Sequence, residues 1–447
     1  MQRYALRALT AAILFAAGSN AMAADLLQVY QEAKKYDATF AASESAYRAG
    51  QEKTNQARAL WMPQVSVASS YNNVRTDTEA LLPNNATRDV KNSGDTYGYT
   101  VTASQPIYRA GVSVGASQLR EQARLAEVNF AAARQDLILR VAQAYFDVLY
   151  AQDNLEFVRA QKDAVSQQLA QAKKSFEVGV ATITDTHEAQ AKYDGIVASE
   201  IAAQNDYMVK QNAFLQLTGV PAEGLVPLAA KMPATPPTPA DINDWVARAE
   251  SKSLAIEGQR GALAIAEAEI EKYRLHRQPT LDLVAQYGES WNKGGLAAAR
   301  GSNSNLTSTL GVQLNIPIFT GGNTSSKLRE TLALRDQAQS NLEAARRSTA
   351  QTTKQAYLGV QAGAAQIKAL EQALVSSQSS LDSTKLGREV GVRTTLDLLN
   401  AQQQYFSTKR DLARARYDYL LNELKLSAAT GELTEKELDA VNARLAR

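Results

Sequence analysis

One stretch of this chain occurs twice, and its repetition restricts the fold more than any other feature. Glu177-Val178-Gly179-Val180-Ala181-Thr182-Ile183-Thr184-Asp185, followed by Ala189-Gln190, returns 212 residues later as Glu389-Val390-Gly391-Val392-Arg393-Thr394-Thr395-Leu396-Asp397 with Ala401-Gln402. Each copy reads as a tight link between two antiparallel helices. Gly179 and Gly391 can take the left-handed conformation that ends a helix. Thr182 and Thr394 then stand where an N-cap hydroxyl is wanted, with Asp185 and Asp397 three residues on. This Thr-x-x-Asp variant of the capping box puts a carboxylate near the positive end of the next helix.

The duplication extends far beyond the links. Residues 24–219 form a first repeat and 242–431 a second, joined by a Pro-rich connector, 220–241, that reads as a stiff, extended link. Residues 432–447 form a C-terminal segment. Asp25 to Leu60 and Ile242 to Leu275 each read as one helix. In both repeats the period then changes to two. Val65, Val67 and Tyr71 alternate with small polar residues. Tyr97, Tyr99, Val101 and Ala103 alternate with Gly98, Thr100, Thr102 and Ser104. Leu281, Leu283, Ala285 and Tyr287, then Leu310, Val312, Leu314 and Ile316, repeat the pattern, giving hairpins over 64–106 and 279–319. Arg75–Thr96 and Glu289–Asn305 read as polar loops.

Such alternation fits half of a soluble sandwich. The alternative is a lipid-facing barrel strand of about 10 residues, with aromatic ends and a polar inner face. Pro106 with Gly111, and Pro317 with Gly322, mark the junctions where strand gives way to helix. Beyond Gly111 a heptad runs through Phe130, Leu137, Ala144, Ala151, Val158, Val165 and Ala172. Val141, Val148, Leu155, Leu169 and Phe176 form the second seam, as in coiled-coil packing. Val360, Ile367, Leu374 and Leu381 carry the counterpart. Residues 112–176, at about 1.5 Å each, make a rod on the order of 100 Å.

The chain begins with a secretory signal over residues 1–23: Arg3 and Arg7, an apolar core Ala8–Ala17, and an A-x-A site at Ala21-Met22-Ala23. No later stretch approaches the roughly 18 apolar residues of a helical membrane span. A net charge of +2 without a basic block argues against nucleic acid as a partner. The absence of cysteine excludes a disulfide framework and thiolate metal sites. Gly111-Val112-Ser113-Val114-Gly115 matches G-x-S-x-G, but a hydrolase would need parallel βαβ units and a partner histidine. Only His187 and His276 are present. No enzyme, cofactor or metal site is expected.

Two hairpins give four strands, too few to close a barrel, and an open edge in lipid strands backbone groups at several kcal/mol each. Several chains must therefore combine. Three copies give twelve strands, an even number within the range for such barrels. The charged helices must continue below as a tube. The expected fold class is an α+β membrane protein: a homotrimeric twelve-stranded β-barrel continued by a coiled-coil α-barrel.

The chain resembles the TolC family of outer-membrane channel-tunnels over nearly its whole mature length. The resemblance is carried by Ala144-Tyr145-Phe146-Asp147-Val148-Leu149, Val178–Asp185, Ser377-Gln378-Ser379-Ser380-Leu381, Val390–Leu398 and Ala413-Arg414-Ala415-Arg416-Tyr417-Asp418-Tyr419-Leu420. It implies a trimeric exit duct crossing the outer-membrane lipid into the periplasm. Its partners would be a periplasmic adaptor (membrane fusion) protein and an inner-membrane ABC or RND-type transporter, in type I secretion or multidrug efflux. It also implies a periplasmic gate at the tips, with Arg393 matching an arginine that bonds a Thr-Asp pair, here Thr184 and Asp185. The family's gate tyrosine is Arg388 here, and the expectation is an Arg388–Asp185 charge pair in its place. Of the family's two acidic ring positions, Asp397 matches the first and Asn400 replaces the second, which weakens the expected cation preference. The alternative is a soluble periplasmic coiled-coil adaptor, which should not carry a lipid-type hairpin in each half.

Overall fold

A computed structural model describes residues 24–81, 83, 86–229, 232–296 and 302–446; the signal segment 1–23 lies outside them. Nine α-helices and four strands are found among the described residues, in the order α1 Leu26–Tyr36, α2 Ala38–Ala59, β1 Gln64–Leu81, β2 Thr87–Arg109, α3 Ala110–Glu177, α4 Ile183–Thr218, α5 Ile242–Lys252, α6 Leu254–Arg274, β3 Thr280–Gly294, β4 Ser302–Asn315, α7 Asn323–Glu389, α8 Thr395–Ala429 and α9 Glu435–Asn442. The chain divides into two compact units. One is helical and holds residues up to 46, 128–257 and 344 onward; the other contains the sheet and holds 47–127 and 258–343.

In the helical unit the heptad residues are the core. Leu155, Val158, Val165, Leu169 and Ala172 of α3 pack against Ala189, Ile196 and Ala203 of α4, themselves seven apart. Farther along, the Ala144–Leu149 and Ala413–Leu420 motifs meet. Tyr145, Phe146, Phe214 and Tyr417 form a chain of tilted and edge-on rings at centroid separations of 5.8–6.5 Å. The connector is part of this core rather than a free link. The Tyr145 hydroxyl donates to the Val226 carbonyl at 2.8 Å, and Tyr419 to that of Thr235 at 2.9 Å. Tyr357, the repeat counterpart of Tyr145, donates to Ala240. Two matched tyrosines therefore fasten the two ends of the connector. Leu228 also bridges to Leu445, which brings the C-terminal segment onto it.

The first helix of each repeat is broken where the sequence reads as continuous. Asp37 lies in extended backbone between α1 and α2, and its carboxylate accepts the Thr39 amide at 3.0 Å. Burial works to raise the Asp37 carboxyl, but hydrogen bonds from Arg140 and from Thr39 outweigh it and hold it below its ordinary value. Ser253 breaks α5 from α6 in the same way. Both breaks receive the turn that ends the repeat: Gly219 stands against the Tyr36 ring and Gly431 against the Lys252 carbonyl.

The sheet is antiparallel throughout, in the order β1-β2-β3-β4, with β1 and β4 as its two edges. The registers align Val65 with Ala103, Val67 with Val101 and Tyr71 with Tyr97; Val101 lies opposite Tyr287, and Leu283 opposite Val312. One face therefore collects Val65, Val67, Tyr71, Leu310, Val312 and Leu314, all exposed. The other carries Ser66, Ser70, Thr100, Thr102, Gln286, Thr309 and Gln313. The strands are longer than the apolar pattern suggests, because 75–81, 87–96, 289–294 and 302–305 continue the ladders with mostly polar residues. Pro106 does not end β2 either. A bulge between Pro106 and Tyr108 shifts the register, so that Tyr108 comes opposite Leu281 and Arg109 opposite Thr280. Arg109 then clamps Asp282 with two 2.8 Å hydrogen bonds. Gly111 is simply helical, in the first turn of α3, whereas Gly322 has a φ of 83° in the link before α7.

At Gly288 the neighbouring strand is too near for a side chain, since a Cβ there would lie 2.4 Å from the Tyr99 carbonyl oxygen; at Gly311 a Cβ would meet open space. Gly288→Ala is expected to lower the yield of folded protein and its resistance to heat, while Gly311→Ala leaves both near wild type. Circular dichroism melting of the two purified variants checks the contrast, and equal melting would contradict it.

Candidate functional site

The two repeated links form the candidate site, and local chemistry builds both alike. At the first, the Val180 and Ala181 amides both donate to the Ser175 carbonyl, and Gly179 takes a φ of 79°. At the second, Val392 and Arg393 donate to the Gly387 carbonyl, and Gly391 takes a φ of 82°. These are left-handed helix ends, which a residue with a Cβ rarely adopts. The next helix is capped reciprocally. The Thr182 amide and hydroxyl donate to Asp185 Oδ2 at 3.0 and 2.9 Å, while the Asp185 amide donates back to Thr182 Oγ1. Thr394 and Asp397 repeat this at the same 3.0 and 2.9 Å.

The links also share an apolar surface. Val178, Val180, Val390 and Val392 are 66–77% exposed, the reverse of what burial would choose. Leu399, one turn into α8, is buried in the α3–α4 seam. Lys192 of α4 reaches Gln403 of α8 at 3.0 Å. The two copies are thus held side by side within the helical unit.

The charged residues are arranged differently from the expectation. Arg388 does not pair with Asp185; its guanidinium donates to Gln168 Oε1 at 2.6 Å and Gln171 Oε1 at 2.8 Å. It fastens α7 to α3 one turn above the tips. Asp185 instead caps α4, accepting the Thr182 amide and hydroxyl at Oδ2. The Arg393 stem lies across Gly387, where an added Cβ would meet its Cγ at 2.8 Å. Among the described residues no hydrogen bond joins Arg393 to Thr184 or Asp185 within the chain. Thr184, Asn400 and His187 are exposed on the first turns of α4 and α8.

Gln168 and Gln171 are the functional candidates that the sequence reading missed. Their only local signal is a spacing of three along one face of α3. The hydrogen bonds from the Thr394 amide and hydroxyl hold the Asp397 carboxyl below its ordinary value, and the charge of Arg393 adds to this. Among the described residues there is no cluster of three or more metal-ligating side chains, and no helix is long and apolar enough to cross a membrane.

Comparison with known proteins gives this geometry its context. The family model described as outer membrane efflux protein matches residues 29–220 and 245–432, the two repeats. The chain belongs to the outer membrane efflux protein family. It is 33% identical to outer membrane protein TolC of Vibrio cholerae, over 96% of this chain and 95% of that protein. It is 32% identical to the alkaline protease secretion protein AprF of Pseudomonas aeruginosa, over 97% of this chain and 89% of that one. The fold matches the outer membrane channel CmeC of Campylobacter jejuni with a TM-score of 0.76 at 15% identity, covering 94% of this chain and 90% of that one. This efflux-family chain is therefore an outer-membrane exit duct and not an enzyme. TolC-family ducts work with adaptor proteins and inner-membrane transporters.

The depressed Asp397 carboxyl sets a pH dependence with a definite sign. A group whose folded value is lowered stabilises the fold above its unfolded value, near 4, and loses that contribution as pH falls through the folded value. Amide protection in the first turn of α8 is expected to drop in this acid window in wild type and to show no step in Asp397→Asn. Hydrogen exchange against pH checks it; a step in both proteins would contradict the assignment.

Proposed function

We propose that three copies of this chain close a twelve-stranded barrel in the outer membrane, continued by their helices into a periplasmic tube whose lower end is gated by the repeated links. The carrying observation is the four-stranded sheet with one exposed apolar face and two open edges. In lipid, each unpaired edge group costs several kcal/mol, so the edges must pair with other copies. Two copies would give eight strands, whose interior side chains fill; twelve leave room for cargo. From Leu281 to Trp291 the outward row runs about 33 Å, or roughly 25 Å of membrane height when tilted by about 40°, which suits the apolar band of such barrels. Ile201, Met208 and Leu215 add a further sign of assembly. They are exposed and seven apart along α4, as at a coiled-coil seam awaiting another helix.

At the tips, Arg388 holds α7 to α3 through Gln168 and Gln171, and Arg393 is free to reach Thr184 or Asp185 of an adjoining copy. A hydrogen bond to a charged group, such as the part-buried Arg388–Gln168 link, is worth about 1.5–3 kcal/mol, and an exposed ion pair such as one from Arg393 about 0–1 kcal/mol. A partner that contacts the tips can therefore break several of them with modest binding energy. Asp397 would line the bore as a ring favouring cations, with Asn400 below it uncharged. The exposed tip valines support docking of a periplasmic adaptor, which would connect the duct to an inner-membrane ABC or RND-type transporter for protein secretion, drug efflux or both.

Single-channel recording in planar bilayers tests this reading. The wild type is expected to show small conductance, and Arg393→Ser and Arg388→Ala to raise it severalfold. No channel from folded protein would contradict the barrel; large conductance unchanged by either substitution would keep the pore and remove the gate.

A further inference from the structure

The sheet contains its own template for how one chain meets the next. Within the chain, β2 of the first repeat pairs with β3 of the second. A closed barrel must also pair β4 with β1 of another copy, and the duplication makes this second seam the counterpart of the first. Val65 corresponds to Leu281 and Tyr71 to Tyr287, while Ala103 corresponds to Leu314 and Pro106 to Pro317. The correspondence has an internal check: Val65 pairs with Ala103, and Leu281 pairs with Leu314. The two hairpins therefore have the same register, so the β2–β3 register can be transferred.

We infer that β4 joins β1 of a second copy with Gln313 opposite Ser70, Val312 opposite Tyr71 and Ile316 opposite Val67, and that Ile316–Thr320 becomes strand on assembly. This rests on the closed-barrel reading above and adds the register. The transfer satisfies a condition that it did not have to meet. Gln313 and Ser70 both lie on the polar face, and Val312, Tyr71, Ile316 and Val67 all on the apolar one; a shift of one residue would mix the faces. It also accounts for an otherwise unexplained segment. β4 stops at Asn315, and Ile318 and Phe319 are 94% and 87% exposed, the highest values for large apolar side chains among the described residues. Their counterparts, Ile107 and Tyr108, lie within β2 at its bulge. A matching bulge at Ile318 would set Phe319 opposite Val65 on the lipid face, where Tyr108 stands opposite Leu281. One feature does not transfer. The Arg109–Asp282 clamp has Thr320 and Ser66 as its counterparts, so the seam between chains lacks the bidentate ion pair.

The chain has no cysteine, so paired cysteines report the seam directly. Within one chain Ser70 and Gln313 lie on opposite edge strands and cannot meet. Gln313→Cys with Ser70→Cys is expected to give oxidised multimers on a denaturing, non-reducing gel. Gln313→Cys with Ala68→Cys or Asn72→Cys should give at least about fivefold less, because diagonal neighbours stand about 7–8 Å apart, beyond easy disulfide reach. Cross-linking through a shifted pair would overturn the register and leave the closed barrel standing. No interchain cross-link from any pair, in protein whose circular dichroism matches wild type, would overturn both. Should the cysteine variants fold poorly, Thr320→Arg with Ser66→Asp transplants the clamp. The double variant is expected to dissociate at a higher temperature than either single variant, and no coupling between the two would overturn the register.

Discussion

Everything in this molecule follows from one constraint: a β-strand in lipid must have a hydrogen-bonded neighbour on each side. The chain supplies four strands and therefore two unmet edges. An apolar face without closure would be an aggregation hazard, since the same edge that seeks a second copy will accept any strand. The bulge at Pro106–Tyr108 and the Arg109–Asp282 clamp fix the inner seam within the chain, leaving one seam to be completed by assembly. The fold thus settles three strand pairings locally, and in the proposed barrel the fourth, β4 with β1, falls to a second copy.

The helical unit meets a different requirement. Helices as long as α3 and α7 cannot bury a globular core along their whole length, and they rely on a narrow heptad seam. Where extra burial is available it is concentrated, in the aromatic chain of Tyr145, Phe146, Phe214 and Tyr417 and in the connector strapped across it. Tyr145 and Tyr357 perform equivalent tasks at the two ends of that strap. The duplication thus supplies both the architecture and the fastening of its own linker. At the tips the balance is reversed: capping chemistry defines the backbone, while valines and weakly linked charges face solvent. That composition suits the proposed gate, whose surface has to rearrange.

What the sequence made legible was what local physics decides. The tips could be read because Gly and Thr-x-x-Asp act within a few residues, and the sheet faces could be read because alternation survives any register that keeps its parity. The limits came from tertiary causes. The breaks at Asp37 and Ser253 depend on turns at Gly219 and Gly431 from the far end of each repeat. The strand extensions through Arg75, Asp77 and Glu79 carry no apolar signal, since polar ladders in water need none. Arg388 finds Gln168 and Gln171 on a helix 220 residues away, which no local pattern announces. The connector read as a spacer because its prolines are visible in sequence, whereas the tyrosines that hold it are distant.

In the proposed assembly one chain is an incomplete barrel and three make a whole one. Native mass spectrometry of the protein released from detergent micelles tests it most directly. A single assembly of three chains is expected, persisting at dilutions where incidental association is lost. A monomer that inserts into bilayers on its own, or an assembly whose strand number leaves an edge unpaired, would contradict it.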